Sequence, residues 1–438
     1  MSTNVVKIAA IVVVAVIVVA AVAIYLNDDG GSDQTYNLDG SLPVLGNADE
    51  DYDIDQNDLE IINNIIDEAE GYSLSTYPNA DANDDGVVDD SDRQIIQSII
   101  NDEPTTVYII NNLTDGSQYV GTVNWPVKAA VSAGVSTLPM LYKCAGVLDY
   151  IKGMALSEPY GVDEYLYPEL QGMESLGPNM REFDFDKVQQ LVRSDGVSAI
   201  ICVASLKNAD DFKAIGVDII QPNPSSPTVE GFTSSMLLMG FIFNSSTQSL
   251  DISQWFQDLK DYIDENLEGV DKKSVIVTTG GTSVRGPSTD YANTVLVAGG
   301  EFPQSFMEYT GSSGLYTSIT VGDWLYTMND CDMVLSLASG TTGNSWYSYD
   351  MNPAEYAESL EAFTLTSMYM DGNAAVIAFD LPMPVKVMYM AVAMYPDIFS
   401  EEWAESMHQE FVDKFFGGAF DVSQLNVYLD YEEISIYL

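Results

Sequence analysis

The sequence predicts a mixed α/β protein: two α/β lobes joined by a long linking helix, behind a small all-α module and an N-terminal transmembrane helix. Three observations carry this. From about Thr105 onward, short aliphatic or β-branched runs alternate with helical stretches, the pattern of parallel strands layered with helices. Residues 252–267 (ISQWFQDLKDYIDENL) read as one amphipathic helix with Trp255, Phe256, Leu259, Tyr262 and Ile263 inward, near the middle of those strands. Residues 8–26 are uncharged and almost wholly aliphatic, and at about 1.5 Å per residue they are long enough to cross a bilayer core.

Taking the elements in order, Lys7 precedes the apolar run and Asn27, Asp28 and Asp29 follow it. The positive-inside bias therefore places the remainder outside the cell membrane, held by a single anchor over residues 1–27. A cleaved signal peptide, with Ala21-Val22-Ala23 as its site, is the alternative. No cysteine follows the run to take a lipid. Residues 28–44 are Gly/Asp/Ser-rich and read as a tether.

Composition narrows the classes. With 438 residues, 46% of them hydrophobic and 11% aromatic, there is material for two or three folded units. The 66 acidic against 16 basic residues give a net charge of −50, which repels phosphates and excludes a nucleic-acid partner. Cys144, Cys202 and Cys331 are too widely spaced for a CxxC zinc or redox site and read as buried small hydrophobes. Asn112-Leu-Thr and Asn244-Ser-Ser are glycosylation sequons, in keeping with export.

Residues 45–104 hold an internal repeat, NADEDYDIDQNDLEIINNII from Asn47 and DANDDGVVDDSDRQIIQSII from Asp81. Ile61, Ile62, Ile65 and Ile66 correspond to Ile95, Ile96, Ile99 and Ile100, so each copy has one apolar helix face and the two should pack together. The twelve residues before each helix fit a calcium loop, which takes oxygens from positions 1, 3, 5, 7, 9 and 12 with glycine at 6. In the second copy these are Asp81, Asn83, Asp85, the Val87 carbonyl, Asp89 and Asp92, with Gly86 at the turn. In the first they are Asn47, Asp49, Asp51, the Asp53 carbonyl, Asp55 and Asp58, but Tyr52 replaces the glycine. Calcium is the expected cofactor. With Ile54 and Val88 at loop position 8, the repeat resembles a dockerin module, which implies a calcium-stabilised EF-hand-type domain and a possible cohesin-like partner.

The strand candidates beyond it are 198–205, 218–221, 274–279, 294–298, 333–337 and 374–379. They divide into an N-terminal lobe (105–250), the linking helix (251–270) and a C-terminal lobe (271–438). No phosphate loop, HExxH or GxSxG motif is present, and the single histidine, His408, lies in a terminal amphipathic helix where a solvated or packed role is expected. No enzyme is read. The run from Thr278 to Gly286 (TTGGTSVRG) follows a strand without a dinucleotide fingerprint. It is either an ordinary loop or a ligand loop at a strand's carboxyl end.

From Trp125 onward the chain resembles the helical-backbone class (class III) of periplasmic solute-binding proteins. The resemblance rests on Pro126-Val127-Lys128 before strand one, STLPMLYKCAG from Ser136, Tyr167-Pro-Glu-Leu with Ser175-Leu-Gly177, Phe185 to Leu191 before Ala199-Ile-Ile, and MAVAMYPDIF from Met390. It implies two Rossmann-like lobes, a cleft between them, and a role in an ABC importer carrying iron–siderophores, haem or cobalamin to permease and ATPase subunits. It also implies permease docking through one acidic residue per lobe, here Asp186 and Asp323, where the family usually has glutamate. The matching cleft loops offer Arg181, Arg285, Tyr316, Trp346 and Tyr347, with Tyr160 and Tyr165 beside them. Arginine forks pair with anionic chelates, and the aromatic residues supply flat faces for a bulky ligand. Scarce histidine disfavours haem, so the expected ligand is an iron–siderophore-like complex or a corrinoid. The alternative is a surface protein assembled through the dockerin-like repeat onto a cohesin-type scaffold; an enzyme on the same lobes is a third reading.

Overall fold

The computed structural model describes residues 36–438 except 114–116, 135–136, 157–165, 171, 174, 180, 224–225, 227, 281–282, 287–288, 311–316, 319–329 and 339–351. Among the described residues no helix is long and apolar enough to cross a membrane, and the expected anchor lies outside them.

The repeat forms α1 (Gln56–Ile66) and α2 (Asp90–Ile100), which pack on each other through Ile62, Ile96 and Ile99. Each starts with a capping box, Asp55 with Asp58 and Asp89 with Asp92, so loop positions 9 and 12 are also the N-cap and N3 residues. The chain then makes a hairpin of β1 (Thr105–Asn112) and β2 (Gln118–Trp125), with Val107, Ile109 and Asn111 inward by two-residue alternation. The stretch before the repeat lies along β1: Leu45 N–H donates to the Tyr108 carbonyl and Ile110 N–H to the Pro43 carbonyl, both at 2.8 Å.

The N-terminal lobe follows as β3 (Ala130–Ala133), α3 (Thr137–Cys144), β4 (Ile151–Ala155), α4 (Phe185–Asp195), β5 (Ala199–Ile201), α5 (Ala209–Ala214) and β6 (Asp218–Ile220). Its strands lie parallel in the order β4-β3-β5-β6. They read as short apolar runs because helices cover both faces. Next come α6 (Val229–Ile242), apolar on nearly every side and buried, and α7 (Thr247–Asn266), the linking helix. The linking helix therefore begins four residues before the expected 251 and ends before the expected 270. Phe256 meets Phe232 of α6 with ring centroids 5.1 Å apart.

The C-terminal lobe contains β7 (Val275–Thr278), β8 (Ser283–Val284), α8 (Asp290–Val297), α9 (Gln304–Thr310), β9 (Thr317–Ser318), β10 (Met333–Ala338), α10 (Pro353–Ala357), α11 (Ser367–Met370), β11 (Ala374–Ala378), α12 (Met383–Met394), α13 (Glu401–Phe415), β12 (Tyr428–Leu429) and α14 (Tyr431–Ser435). The sheet order is β12-β11-β10-β7-β8-β9, with β11, β10 and β7 parallel and the flanking strands antiparallel. One residue before Phe256 on the linking helix, Trp255 packs on Phe411 of α13 at 5.5 Å, so α7 touches a helix of each lobe.

One strand candidate was wrong. Residues 294–298 belong largely to α8, whose Ala292, Val295 and Ala298 are buried at three-residue spacing. Their β-branched composition suited a strand, but packing against β7 and α12 selected a helix.

Candidate functional site

In open parallel sheets, ligands bind beyond the carboxyl ends of the strands, so those edges of the two sheets are where a site is sought. In the C-terminal lobe, β7 ends at Thr278 and the chain turns back as antiparallel β8. Arg285 N–H then donates to the Val277 carbonyl at 2.7 Å, which brings this half-buried arginine to the carboxyl edge. In the N-terminal lobe, α4 carries the chain from the carboxyl edge after β4 back to the start of β5. The residues just before α4 therefore sit at that edge. Arg181 is one of them: its carbonyl accepts the Lys207 N–H at 2.8 Å, from the loop after β5. The neighbouring Glu182–Lys207 ion pair, at 2.6 Å, joins the same two segments and holds the Glu182 carboxyl below its usual range. Each lobe thus presents one predicted arginine at its carboxyl edge.

Asp186 is exposed in the first turn of α4. The N-cap Asp184 Oδ1 accepts the N–H groups of Asp186 and Lys187 at 3.1 and 3.2 Å. Tyr316, Asp323, Trp346, Tyr347, Tyr160 and Tyr165 lie outside the described residues.

Sequence reasoning missed a polar cluster beneath the N-terminal edge. Tyr119 Oη donates to Gln221 Oε1 at 2.5 Å, and Gln221 N–H donates to Asn111 Oδ1 at 2.6 Å, tying the hairpin to the end of β6. Burial pushes the adjacent Cys202 thiol up to about 12, which makes it an inert packing group. It also missed Lys386, in the first turn of α12 just after β11, buried with Nζ 5.4 Å from the centre of the Phe379 ring. No periodicity marks either feature. His408 is fully buried beside Tyr389, whose Oη lies 3.3 Å from Nδ1, and burial alone lowers its pKa to about 3. It is packed, not solvated.

The two loops of the repeat fold alike at the backbone. Position 4 is left-handed in both, at Glu50 (φ 60°) and Asp84 (φ 57°). Asp51 Oδ1 accepts the Asp53 N–H at 2.9 Å, and Asp85 Oδ1 accepts the Val87 N–H at 3.0 Å. Asp58 and Asp92 are buried, each accepting backbone N–H groups from the loop start and the N-cap. At position 6 they differ. Gly86 takes φ 89° and donates its N–H to Asp81 Oδ2 at 2.7 Å, whereas Tyr52 is not left-handed. At position 1, the Asn47 amide nitrogen donates to the carbonyls of Leu42 and Asp51 at 3.0 and 2.8 Å, closing the first loop on itself.

Among the described residues, no three histidine, cysteine, aspartate or glutamate side chains converge as a metal cluster, because the loop carboxylates face backbone amides. The donor set nevertheless fits a hard divalent cation in the second loop, where every oxygen position and the glycine turn are present. The first loop fits less well, given Tyr52 and the engaged Asn47. Burial, then the charges of Asp51, Asp55 and Asp49, push Asp53 up to about 7, and burial with Asp49 takes Asp58 to about 7 as well. Such crowding is what a bound cation relieves.

No protein-family model matches the chain, and no curated protein matches it in sequence. Solved structures do. The TroA-like periplasmic binding protein FepB of Veillonella parvula superposes with a TM-score of 0.52 at 15% identity, covering 73% of this chain and 99% of its own. The periplasmic molybdate-binding protein of Haemophilus influenzae, bound to molybdate, gives a TM-score of 0.50 at 13% identity, covering 70% and 98%. This chain has the fold of the periplasmic solute-binding proteins.

Proposed function

We propose that this chain is an extracytoplasmic solute-binding protein of an ABC importer. It captures a metal chelate, an iron–siderophore-like complex or a corrinoid, between its lobes and delivers it to a permease served by an ATPase. The observation that carries the reading is the placement of Arg181 and Arg285, one at the carboxyl edge of each lobe's parallel sheet, in a chain with only 16 basic residues. A guanidinium on each lobe would suit a ligand bearing carboxylate or catecholate oxygens. Haem held through imidazole is disfavoured because the single histidine is buried in α13. The chain acts by binding, with no covalent step.

The remaining assignments complete the reading. Asp186 stands exposed where a permease arginine could meet it, with Asp323 as its counterpart on the other lobe. Residues 8–26 tether the protein to the outer face of the membrane. Calcium in the second loop would be held by Asp81, Asn83, Asp85, the Val87 carbonyl, Asp89 and Asp92, and would neutralise their mutual repulsion.

Native mass spectrometry of the chain from Gly30, mixed with ferric siderophores, haem and cobalamin at micromolar concentration, tests the proposal. Retention of at least one ferric chelate or corrinoid is expected. If none is retained, the importer reading fails.

A further inference from the structure

Two glycosylation sequons occur in the sequence, Asn112-Leu-Thr and Asn244-Ser-Ser, and the fold gives them opposite surroundings. Asn112 ends β1. Its N–H donates to the Gln221 carbonyl at 3.0 Å, and its Oδ1 accepts Gln118 Nε2 at 2.6 Å. Gln221 follows β6, so this half-buried asparagine is fixed at the carboxyl edge of the N-terminal lobe's sheet, the edge where a ligand is sought. Asn244 follows α6 at the opposite edge, where the Ile242 carbonyl accepts the N–H of Val127 on the approach to β3, at 2.9 Å. It is exposed, in a short turn between two helices.

Folding accounts for only part of this turn's sequence. α6 closes with the Asn244 N–H on the Phe241 carbonyl at 2.9 Å and the Ser245 N–H on the Gly240 carbonyl at 2.8 Å. That closure puts Asn244 in the left-handed region at φ 52°, which asparagine tolerates better than most residues. Ser246 has no such reason. It is exposed at the N-cap of α7, where serine is favoured for its hydroxyl, yet its backbone is already helical (φ −87°, ψ −17°) and its side chain makes no capping bond. A hydroxyl two residues after an exposed asparagine, with no part in starting the helix, is what a glycan acceptor requires.

We propose that Asn244 carries an N-linked glycan and that Asn112 stays bare. The donor is an oligosaccharide joined through its anomeric carbon to a polyprenyl phosphate. Asn244 Nδ2 attacks that carbon, the nitrogen–carbon bond forms, and the carbon–oxygen bond to the phosphate breaks. The polyprenyl phosphate leaves with the bonding electrons, and one Nδ2 proton passes to a base of the transferase. The other Nδ2 hydrogen remains for Asp102 Oδ1, 2.9 Å away, so the tie to the end of the repeat survives. The glycan then covers the junction between repeat and lobes and leaves the carboxyl edge of the sheet open. This rests on the extracytoplasmic location and not on the identity of the ligand.

The test purifies the full chain from the cells that make it and maps its tryptic peptides by mass. Trypsin cuts at Lys213 and Lys260 around one sequon and at Arg93 and Lys128 around the other, so the two are read separately. Peptide 214–260 should be heavier by an oligosaccharide, and peptide 94–128 should have its sequence mass. Ser246→Ala should lose the added mass while melting at the wild-type temperature, because it leaves Asn244 and its bond to Asp102 in place. Ser246→Thr should keep the glycan. In parallel, intact cells are treated with a membrane-impermeant amine reagent to locate the chain. A labelled chain whose peptide 214–260 has its sequence mass overturns the proposal and leaves the extracytoplasmic reading standing. An unlabelled, bare chain overturns both. A glycan kept by Ser246→Ala, or found on peptide 94–128, also overturns the proposal.

Discussion

Gln257 grips Asp39 with both ends of its amide: Oε1 accepts the Asp39 N–H at 3.1 Å, and Nε2 donates to Asp39 Oδ2 at 3.1 Å. One residue belongs to the segment entering the repeat and the other to the linking helix α7. Beyond the repeat, Asn244 Nδ2, in the turn between α6 and α7, donates to Asp102 Oδ1 at 2.9 Å. The repeat is thus strapped at both ends to the helices that join the lobes, and residues from Leu38 onward form one compact unit.

Because Gln257 is buried, its loss leaves polar groups unpaired. Gln257→Ala should lower stability by about 1–3 kcal/mol, and the repeat and lobes should still unfold in a single calorimetric transition. A loss under about 0.5 kcal/mol would show that the strap carries no weight.

Gly46 turns the strap into the first loop at φ 101°, and a Cβ added there would run into Ile96 Cδ1. A methyl group there meets both a disfavoured backbone region and a packed side chain. Gly46→Ala should cost on the order of 1–3 kcal/mol in urea unfolding. A change under about 0.5 kcal/mol would contradict this packing.

Asp53 and Asp58, both raised to about 7, share the pH dependence of the cation-free repeat, and Asp53 is the more exposed of the two and so the easier to replace. An ordinary aspartate titrates near 3.8, whereas burial and its neighbours take the folded Asp53 to about 7. Between these values the folded state holds more protons than the unfolded one, so stability falls as pH rises from about 4 to about 7. In a chelating buffer, Asp53→Asn should melt with a shallower pH slope than wild type. His408, held near 3 by burial, contributes the opposite slope equally to both proteins and cancels in the comparison. Identical slopes would refute the assignment.

Calcium at about a thousand times its dissociation constant should stabilise the chain by about 4 kcal/mol. Asp81→Ala combined with Asp92→Ala should abolish that gain in thermal melts. Asp49→Ala combined with Asp51→Ala should remove less of it, since the first loop has Tyr52 at the turn and Asn47 bound to two carbonyls. Equal losses would mean that the two loops bind alike.

Arg181→Ala and Arg285→Ala should each weaken chelate binding by about tenfold to a hundredfold without shifting the circular dichroism spectrum. Loss on one lobe only would confine the ligand to that lobe.

Much of the fold was legible from local pattern. The isoleucine spacing gave the faces of α1 and α2, and the Trp255/Phe256/Leu259/Ile263 stripe gave α7, because a helix with one apolar face can be read from its own periodicity. Residues 294–298 misled because β-branched composition is only a weak vote against packing on β7 and α12. Arg181 and Arg285 were reached only through the family resemblance and its cleft loops, and their arrival at the sheet edges depends on the strand order. Lys386 carried no signal, since Met-Pro-Val-Lys-Val-Met reads as the start of any buried helix.

By itself, then, the sequence determined the faces of α1, α2 and α7, the repeat and its residue spacing, and the charge balance, all of which are read from composition or from neighbours within a few turns of chain. Tertiary structure decided what depends on residues far apart: Gln257 closing on Asp39, the two arginines reaching the edges of their sheets, and Lys386 buried beside Phe379. Burial sets a side chain's dielectric surroundings and its partners, and burial is fixed only when distant segments meet.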